Sequence, residues 1–291
     1  MHPNKSPQLS QLIKLVDTHC HINIMAKKKF DIPLTHTNFE KAAQIAQEAS
    51  DKSVEYILNV GTSLIECQNC INLAQKNKTM FAAVGIHPCD ITTNWHKELK
   101  EIIAFLKNKE SNKIVAIGEC GLDLYHDKTT ILQQKELFKA QIELSFEHNL
   151  PLNIHTREST DELVSCLELF TKEFQKNKNQ NKLNGVMHCF YEKKDFADYV
   201  INLGFVLGIG GPITYPKNEF LREVILDTPL DKIVLETDAP FLPPQQFRGK
   251  QNHPKYIKLL AQYLAELKQK SLEEIAQETT STALKLFNFK Q

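Results

Sequence analysis

The stretch Leu15-Val16-Asp17-Thr18-His19-Cys20-His21 is a short apolar run that ends in two histidines one residue apart. Residues two apart on a β-strand point the same way, so the spacing predicts that the imidazoles of His19 and His21 reach one point in space. Neutral imidazole is the commonest metal-binding side chain. A His-x-His pair alone is a weak signal, more often packed or solvent-facing than ligating. Four residues downstream change its weight: Glu119 in IVAIGECG, His155 in LPLNIHT, His188 in GVMHCF and Asp238 in IVLETDAP. Each closes a short apolar run and leads into a Gly, Pro or polar turn.

Collected along the chain, such runs cover Leu15 to His19, Tyr56 to Val60, Phe81 to Ile86, Ile114 to Glu119, Leu152 to His155, Gly185 to His188, Phe205 to Ile209 and Ile233 to Thr237. They read as eight strands. Stretches of helical periodicity separate them, as in Ile131 to His148, where Leu132, Leu137, Phe138, Ile142 and Phe146 fall on one predicted face. Ser63 with Glu66, and Ser271 with Glu274, have the spacing of a capping box at a helix start. Eight strands alternating with helices in 291 residues predict an α/β fold, a (β/α)8 TIM barrel in a single domain. Residues 15–291 form that domain and residues 1–14 an N-terminal extension. In this fold the active site lies at the C-terminal ends of the strands, where all six candidates fall.

With 42% hydrophobic residues the chain can bury a large core without a second domain. Thirty-five basic residues balance thirty-five acidic ones, so no global positive field recruits nucleic acid and any basic contact must be local. No apolar stretch approaches the ~18 residues of a membrane-spanning helix, and the polar start MHPNKSPQLSQ lacks a signal-peptide core. A soluble cytoplasmic protein is expected, with no membrane and no obligate protein partner. Seven scattered cysteines, an odd number, argue for reduced thiols rather than a disulfide framework. Cys67 and Cys70 form a C-x-x-C inside a predicted helix with no second pair, and read as packing. Cys20, Cys120 and Cys189 each neighbour a candidate ligand but face away by strand alternation. The polar run Gln175 to Asn184 reads as a solvated loop entering the sixth strand. Met25 to Asn38, with Lys27, Lys28 and Lys29, reads as a loop on the catalytic face that could touch a phosphate backbone.

Four histidines and two carboxylates exceed the three protein ligands typical of one catalytic zinc, so two cations are favoured. The partition gives His19, His21 and Asp238 to one ion, His155 and His188 to the other, and Glu119 to both. A cation pair can lower the pKa of a shared water and clamp the oxygens of a phosphodiester, which makes hydrolysis the natural reaction. Asp238 is the candidate general base. Glu236, two residues earlier, is a candidate to orient a ligating histidine. Mixed imidazole and carboxylate donors suit zinc, manganese, cobalt or magnesium.

DTHCH, GIHP, GECGLDLY, NIHTRE, MHCF, LETDAPFLPP and RGKQNHP follow one another in the order of the TatD family of metal-dependent deoxyribonucleases, which the chain resembles from about Val16 to Phe287. The resemblance implies a (β/α)8 barrel, divalent metal ions and hydrolysis of DNA phosphodiesters, often from the 3′ end. It implies metal binding by His19, His21, Glu119, His155, His188 and Asp238. It also implies that His87, Asp123, Tyr125, Arg157, Arg248 and Asn252 line the substrate side, with the arginines holding phosphate oxygens. Local alternatives are that His87 braces the turn at Pro88, that Tyr125 packs on a helix, and that Asp123 pairs with an arginine. The chain departs from the family pattern in the long segment after His21 and at Thr282, where an Asn commonly stands.

Rival readings share the scaffold. Other amidohydrolase-like barrels hydrolyse cyclic amides, lactones or phosphotriesters, many with a modified lysine on the fourth strand, where this chain has Glu119. RNA is a possible substrate, as is an aminoacyl-tRNA ester cleaved by a D-aminoacyl-tRNA deacylase. A non-enzymatic metal-stabilised scaffold would bind metal and cut no bond.

Overall fold

The computed structural model describes residues 13–176 and 183–289. Eight parallel strands lie side by side in sequence order: β1 (Leu15–Cys20), β2 (Val54–Val60), β3 (Met80–Val84), β4 (Ile114–Asp123), β5 (Leu152–Arg157), β6 (Gly185–Met187), β7 (Phe205–Ile209) and β8 (Ile233–Leu235). Among the described residues ten helices accompany them: α1 (Ile22–Lys27), α2 (His36–Ser50), α3 (Leu64–Lys76), α4 (Trp95–Leu106), α5 (Ile131–His148), α6 (Thr160–Lys176), α7 (Lys194–Leu203), α8 (Glu219–Asp227), α9 (Ile257–Lys268) and α10 (Leu272–Phe287). This is the (β/α)8 barrel that the strand count predicts. The strand ends differ in detail: β4 runs on to Asp123, β6 and β8 stop before His188 and Thr237, and β3 ends before Ile86.

The barrel closes between β1 and β8 at the end that carries the candidate ligands. The amide of Asp238 donates to the carbonyl of His19 at 2.8 Å, and that of His21 to the carbonyl of Ala239 at 2.7 Å. Asp17 completes the seam, accepting from the amide of Thr237 at 2.9 Å and from its hydroxyl at 2.6 Å. Asp17 is fully buried, and burial pushes its carboxyl up to about 8 even though these donors pull it down. Its role is therefore to join strands.

Two apolar layers hold the frame. Inside the barrel, Val16, Leu58, Phe81, Val186, Val206 and Val234 fill the N-terminal half, and Ala283 and Phe287 of α10 plug that mouth. Between strands and helices lies a larger core that includes Cys20, Cys67, Cys70, Cys120 and Phe138. Each fully buried large side chain contributes about 1.5–3 kcal/mol by leaving water. All seven cysteines are unpaired.

Three sequence readings need correction. Leu132 is 80% exposed and so lies off the buried face of α5, where Leu137, Phe138, Ile142 and Phe146 do fall. Ser63 and Ser271 do cap α3 and α10, accepting from the amides of Glu66 and Glu274. The carboxylate of Glu66, however, turns into a buried contact with Lys27 at 2.5 Å and also accepts from Asn23, Asn69 and the amide of Asp31. That network changes the reading of Met25 to Asn38: its first residues complete α1, and Lys27 is paired inside the protein, leaving Lys28 and Lys29 at the surface. Of the run Gln175 to Asn184, residues 177–182 lie outside the described residues, as do residues 1–12 of the stretch read as an N-terminal extension.

Candidate metal centre

All six candidate ligands meet over the C-terminal mouth. Nε2 of His19 and Nε2 of His21 are 3.2 Å apart. Glu119 stands between two groups of imidazoles: its Oε2 is 3.5 Å from His19 and 3.9 Å from His21, while its Oε1 is 3.2 Å from His155 Nδ1 and 3.8 Å from His188 Nε2. Oδ1 of Asp238 is 3.4 Å from His21, 3.8 Å from His19 and 3.9 Å from His188. The His19 and His188 rings stack with centroids 3.4 Å apart.

What each ring does with its other nitrogen decides whether a lone pair faces the centre. Nδ1 of His21 is 2.9 Å from the carbonyl of Val60, and Nδ1 of His19 is 2.8 Å from Oδ1 of Asn153. Nδ1 of His188 lies 2.9 Å from Oε1 of Glu236, and Nε2 of His155 lies 3.0 Å from Oδ2 of Asp123. Every one of these outer partners is an acceptor. For His19, His21 and His155 these contacts are hydrogen bonds, so a neutral ring carries its proton on the outer nitrogen and turns its lone pair inward, as ligating histidines do, while His188 meets Glu236 as an ion pair without hydrogen-bond alignment. The donor set fits divalent cations by this test.

His87 is built the opposite way. Its Nδ1 accepts from the amide of Cys89 at 3.0 Å, so the neutral ring carries its proton on Nε2, which points at Glu119 Oε1 from 3.6 Å. Burial pulls His87 down to about 3, which keeps it neutral. It braces the turn at Pro88 and also offers an N–H to the centre.

Charge in the cluster follows the same logic. Burial drives Glu119 up, but His87, His19 and His155 outweigh it and hold the carboxyl well below the ordinary range. Asp238 behaves alike: burial raises it, and His21 and His188 bring it below its usual value. His188 is disfavoured as a cation by burial, yet Glu236, Asp238 and Glu119 lift it to about 10. Anionic carboxylates thus surround a ring that gathers a proton where a cation would sit.

Glycine makes room for this arrangement at two places. At Gly121, paired with His155 across β4 and β5, a Cβ would sit 2.0 Å from the His155 carbonyl oxygen. At Gly208 a Cβ would sit 2.2 Å from Oε2 of Glu236. Asp238 adopts φ +57°, a left-handed conformation that aspartate tolerates better than most side chains.

The residues expected on the substrate side divide. Tyr125, Arg157 and Arg248 stand at the exposed rim, with the Arg157 guanidinium 3.8 Å over the Tyr125 ring and that of Arg248 4.5 Å over Tyr215. Asp123 and Asn252 do not line a groove. Asp123 is buried behind His155, and its Oδ1 accepts from the amides of Tyr125 and His126. Asn252 is buried and donates to the carbonyls of Thr237 and Phe241, which pins the loop after β8. Asn153, the partner of His19, escapes the sequence reading. Its signal is a polar residue inside the apolar run LPLNIHT, two before His155.

Known proteins resemble this chain over nearly its whole length. A family model described as TatD related DNase matches residues 16–288. The chain is 35% identical over 274 residues to an uncharacterized metal-dependent hydrolase, YabD, of Bacillus subtilis, covering 94% of this chain and 98% of that relative. It is 31% identical over 268 residues to the 3′-5′ ssDNA/RNA exonuclease TatD of Erwinia tasmaniensis, covering 89% of this chain and 99% of that one. The crystal structure of YJJV, a TatD homolog from Escherichia coli K12, superposes with a TM-score of 0.81 at 28% identity, over 96% of this chain and 99% of that one. Among the described residues no helix is long and apolar enough to cross a membrane.

Proposed function

The chain belongs to the TatD-related DNase family of metal-dependent hydrolases, and from that premise we propose that it cleaves DNA phosphodiester bonds, trimming single strands from the 3′ end. The observation that carries this reading is Glu119, whose Oε2 faces His19 and His21 while its Oε1 faces His155 and His188. His19, His21 and Asp238 would hold one divalent cation and His155 and His188 a second, with Glu119 available to both. Two bound cations, magnesium, manganese or zinc, supply the acidification of a water and the neutralisation of phosphoryl charge.

The chain's own groups do the rest. Asp238, deprotonated and 13% exposed, accepts the proton of the attacking water. Glu236, Asp123, Asn153 and the Val60 carbonyl keep the imidazoles in the orientation that ligation needs. Nε2 of His87, 3.6 Å from Oε1 of Glu119, adds a neutral ring to the wall beside that carboxylate. Arg157 and Arg248 grip phosphate oxygens in forked contacts. The exposed rings of Phe30, Tyr125, Tyr191 and Phe241, all on segments that leave the C-terminal strand ends, give stacking surfaces to unpaired bases. Those rings favour a single-stranded substrate, in keeping with the name of the Erwinia relative.

End-labelled single- and double-stranded DNA, incubated with defined metals, tests the reading. The expected result is stepwise 3′ trimming, faster on single strands, abolished by chelator, restored by manganese or magnesium, and lost in Asp238→Asn. Cutting by Asp238→Asn at the wild-type rate would remove its role as base. Turnover of an aminoacyl or lactone ester with intact DNA would remove the nuclease assignment.

A further inference from the structure

Beside the six-residue cluster, three side chains of different donor chemistry converge on the barrel mouth. Cys89 lies in the 3₁₀ turn Pro88–Asp90 after β3, Asp123 ends β4, and His126 follows in the next turn. One donor atom from each, a thiol sulfur, a carboxylate oxygen and a ring nitrogen, lies within 4.8 Å of the other two. Cys89 is exposed and the His126 side chain is 53% exposed, so a hydrated ion can approach from solvent. Asp123 is the fixed member: it is buried, its Oδ1 is held by two backbone amides, and its Oδ2 is 2.9 Å from Nδ1 of His126. Two exposed donors thus flank one anchored carboxylate.

We infer that Cys89, Asp123 and His126 form a further cation site, selective for thiophilic divalent ions such as zinc or cadmium. One sulfur, one nitrogen and one oxygen donor is a set that zinc accepts in tetrahedral geometry with solvent in the fourth place, whereas magnesium gains little from sulfur. On binding, the S–H bond of Cys89 breaks, its electron pair forms the sulfur–metal bond, and the proton passes to solvent. The site also reaches the main cluster. Oδ2 of Asp123 is 3.0 Å from Nε2 of His155, so a cation that draws on this oxygen loosens the partner that orients His155. This second consequence rests on the reading of His155 as a ligand; the site itself does not.

Cadmium is the probe, added to the manganese-loaded full chain while thiolate-to-cadmium charge-transfer absorption is followed in the ultraviolet. Wild type and the control Cys189→Ser are expected to reach saturation at one equivalent. Cys89→Ser is expected to lose the band, and His126→Ala to bind about tenfold more weakly. An undiminished band in Cys89→Ser overturns the site. Manganese affinity is then measured with and without one equivalent of cadmium: it should weaken about tenfold in wild type and stay constant in Cys89→Ser. A cadmium band with unaltered manganese affinity overturns the link to His155. A chain that binds no manganese overturns the proposed function, while the absorption readout still decides the cadmium site.

Discussion

Near the barrel axis, His19, His21, Glu119 and His188 are almost wholly buried, and each imidazole among them has a second contact to a backbone carbonyl, an amide oxygen or a carboxylate. A few residues farther along, Tyr125, Arg157 and Arg248 stand in solvent, and the contacts of the two guanidinium groups are with aromatic faces, Tyr125 and Tyr215. The two regions share strands and differ in constraint. Buried polar groups must be satisfied or they cost about 1–3 kcal/mol each, so the centre is cross-braced down to Asn153 and Asp123. Rim side chains are solvated with or without a substrate and are free to adapt. On the proposed function, chemistry belongs to the buried cluster and affinity for the nucleic acid to the exposed rim, a division that mutation can break.

The largest expected effect is at the centre. Asp238→Asn should lower kcat about 10²–10⁴-fold, while the Kd for a single-stranded oligonucleotide, measured by fluorescence anisotropy, stays within a factor of about two. Equal loss of binding and rate would erase the distinction. Glu236→Gln keeps the shape but takes the carboxylate charge away from His188, and should weaken manganese binding about 10–100-fold in a calorimetric titration. Unchanged affinity would show that His188 needs no support.

Proton competition gives the next effect. In the metal-free protein His188 stands at about 10, above its unfolded value near 6.5, so a cation binding near neutral pH must displace its proton. Apparent metal affinity should rise with pH from neutrality toward 10, by up to about tenfold per unit for this one proton. The sign for stability without metal is the reverse. The folded value is the higher one, so the His188 contribution is complete below about 6.5 and is lost as pH rises through about 10. Thermal midpoints across this range, with chelator and with manganese, should diverge as pH increases; parallel curves would place the proton elsewhere.

The smallest effect lies at the rim. Tyr125→Ala removes a stacking face and the platform under Arg157, and should raise KM for single-stranded DNA about 5–20-fold, with kcat changed by less than about twofold. A fall in kcat without change in KM would move Tyr125 into the chemistry.

The same contrast explains what could be read from the sequence. His19, His21, Glu119, His155, His188 and Asp238 are legible because each ends an apolar run, and parallel strands in a barrel end on one face. The distinction between His87 and the other histidines is not legible, since it depends on whether an amide or a carbonyl meets the outer nitrogen. Nor is the placement of Asp123 and Asn252 behind the mouth, because burial of a loop side chain is set by neighbours distant in the chain. Lys27 misleads for a related reason: among three lysines in a row, one reaches a buried acid 39 residues away. Asn153 could have been found, as a polar residue in an otherwise apolar strand.

Bridging by Glu119 is the claim on which the centre depends, and manganese stoichiometry tests it most directly. Titration of the chelator-stripped chain should give two equivalents for wild type and at most one tight equivalent for Glu119→Ala, with both proteins folded by circular dichroism. One equivalent in wild type, or two of undiminished affinity in Glu119→Ala, would contradict it.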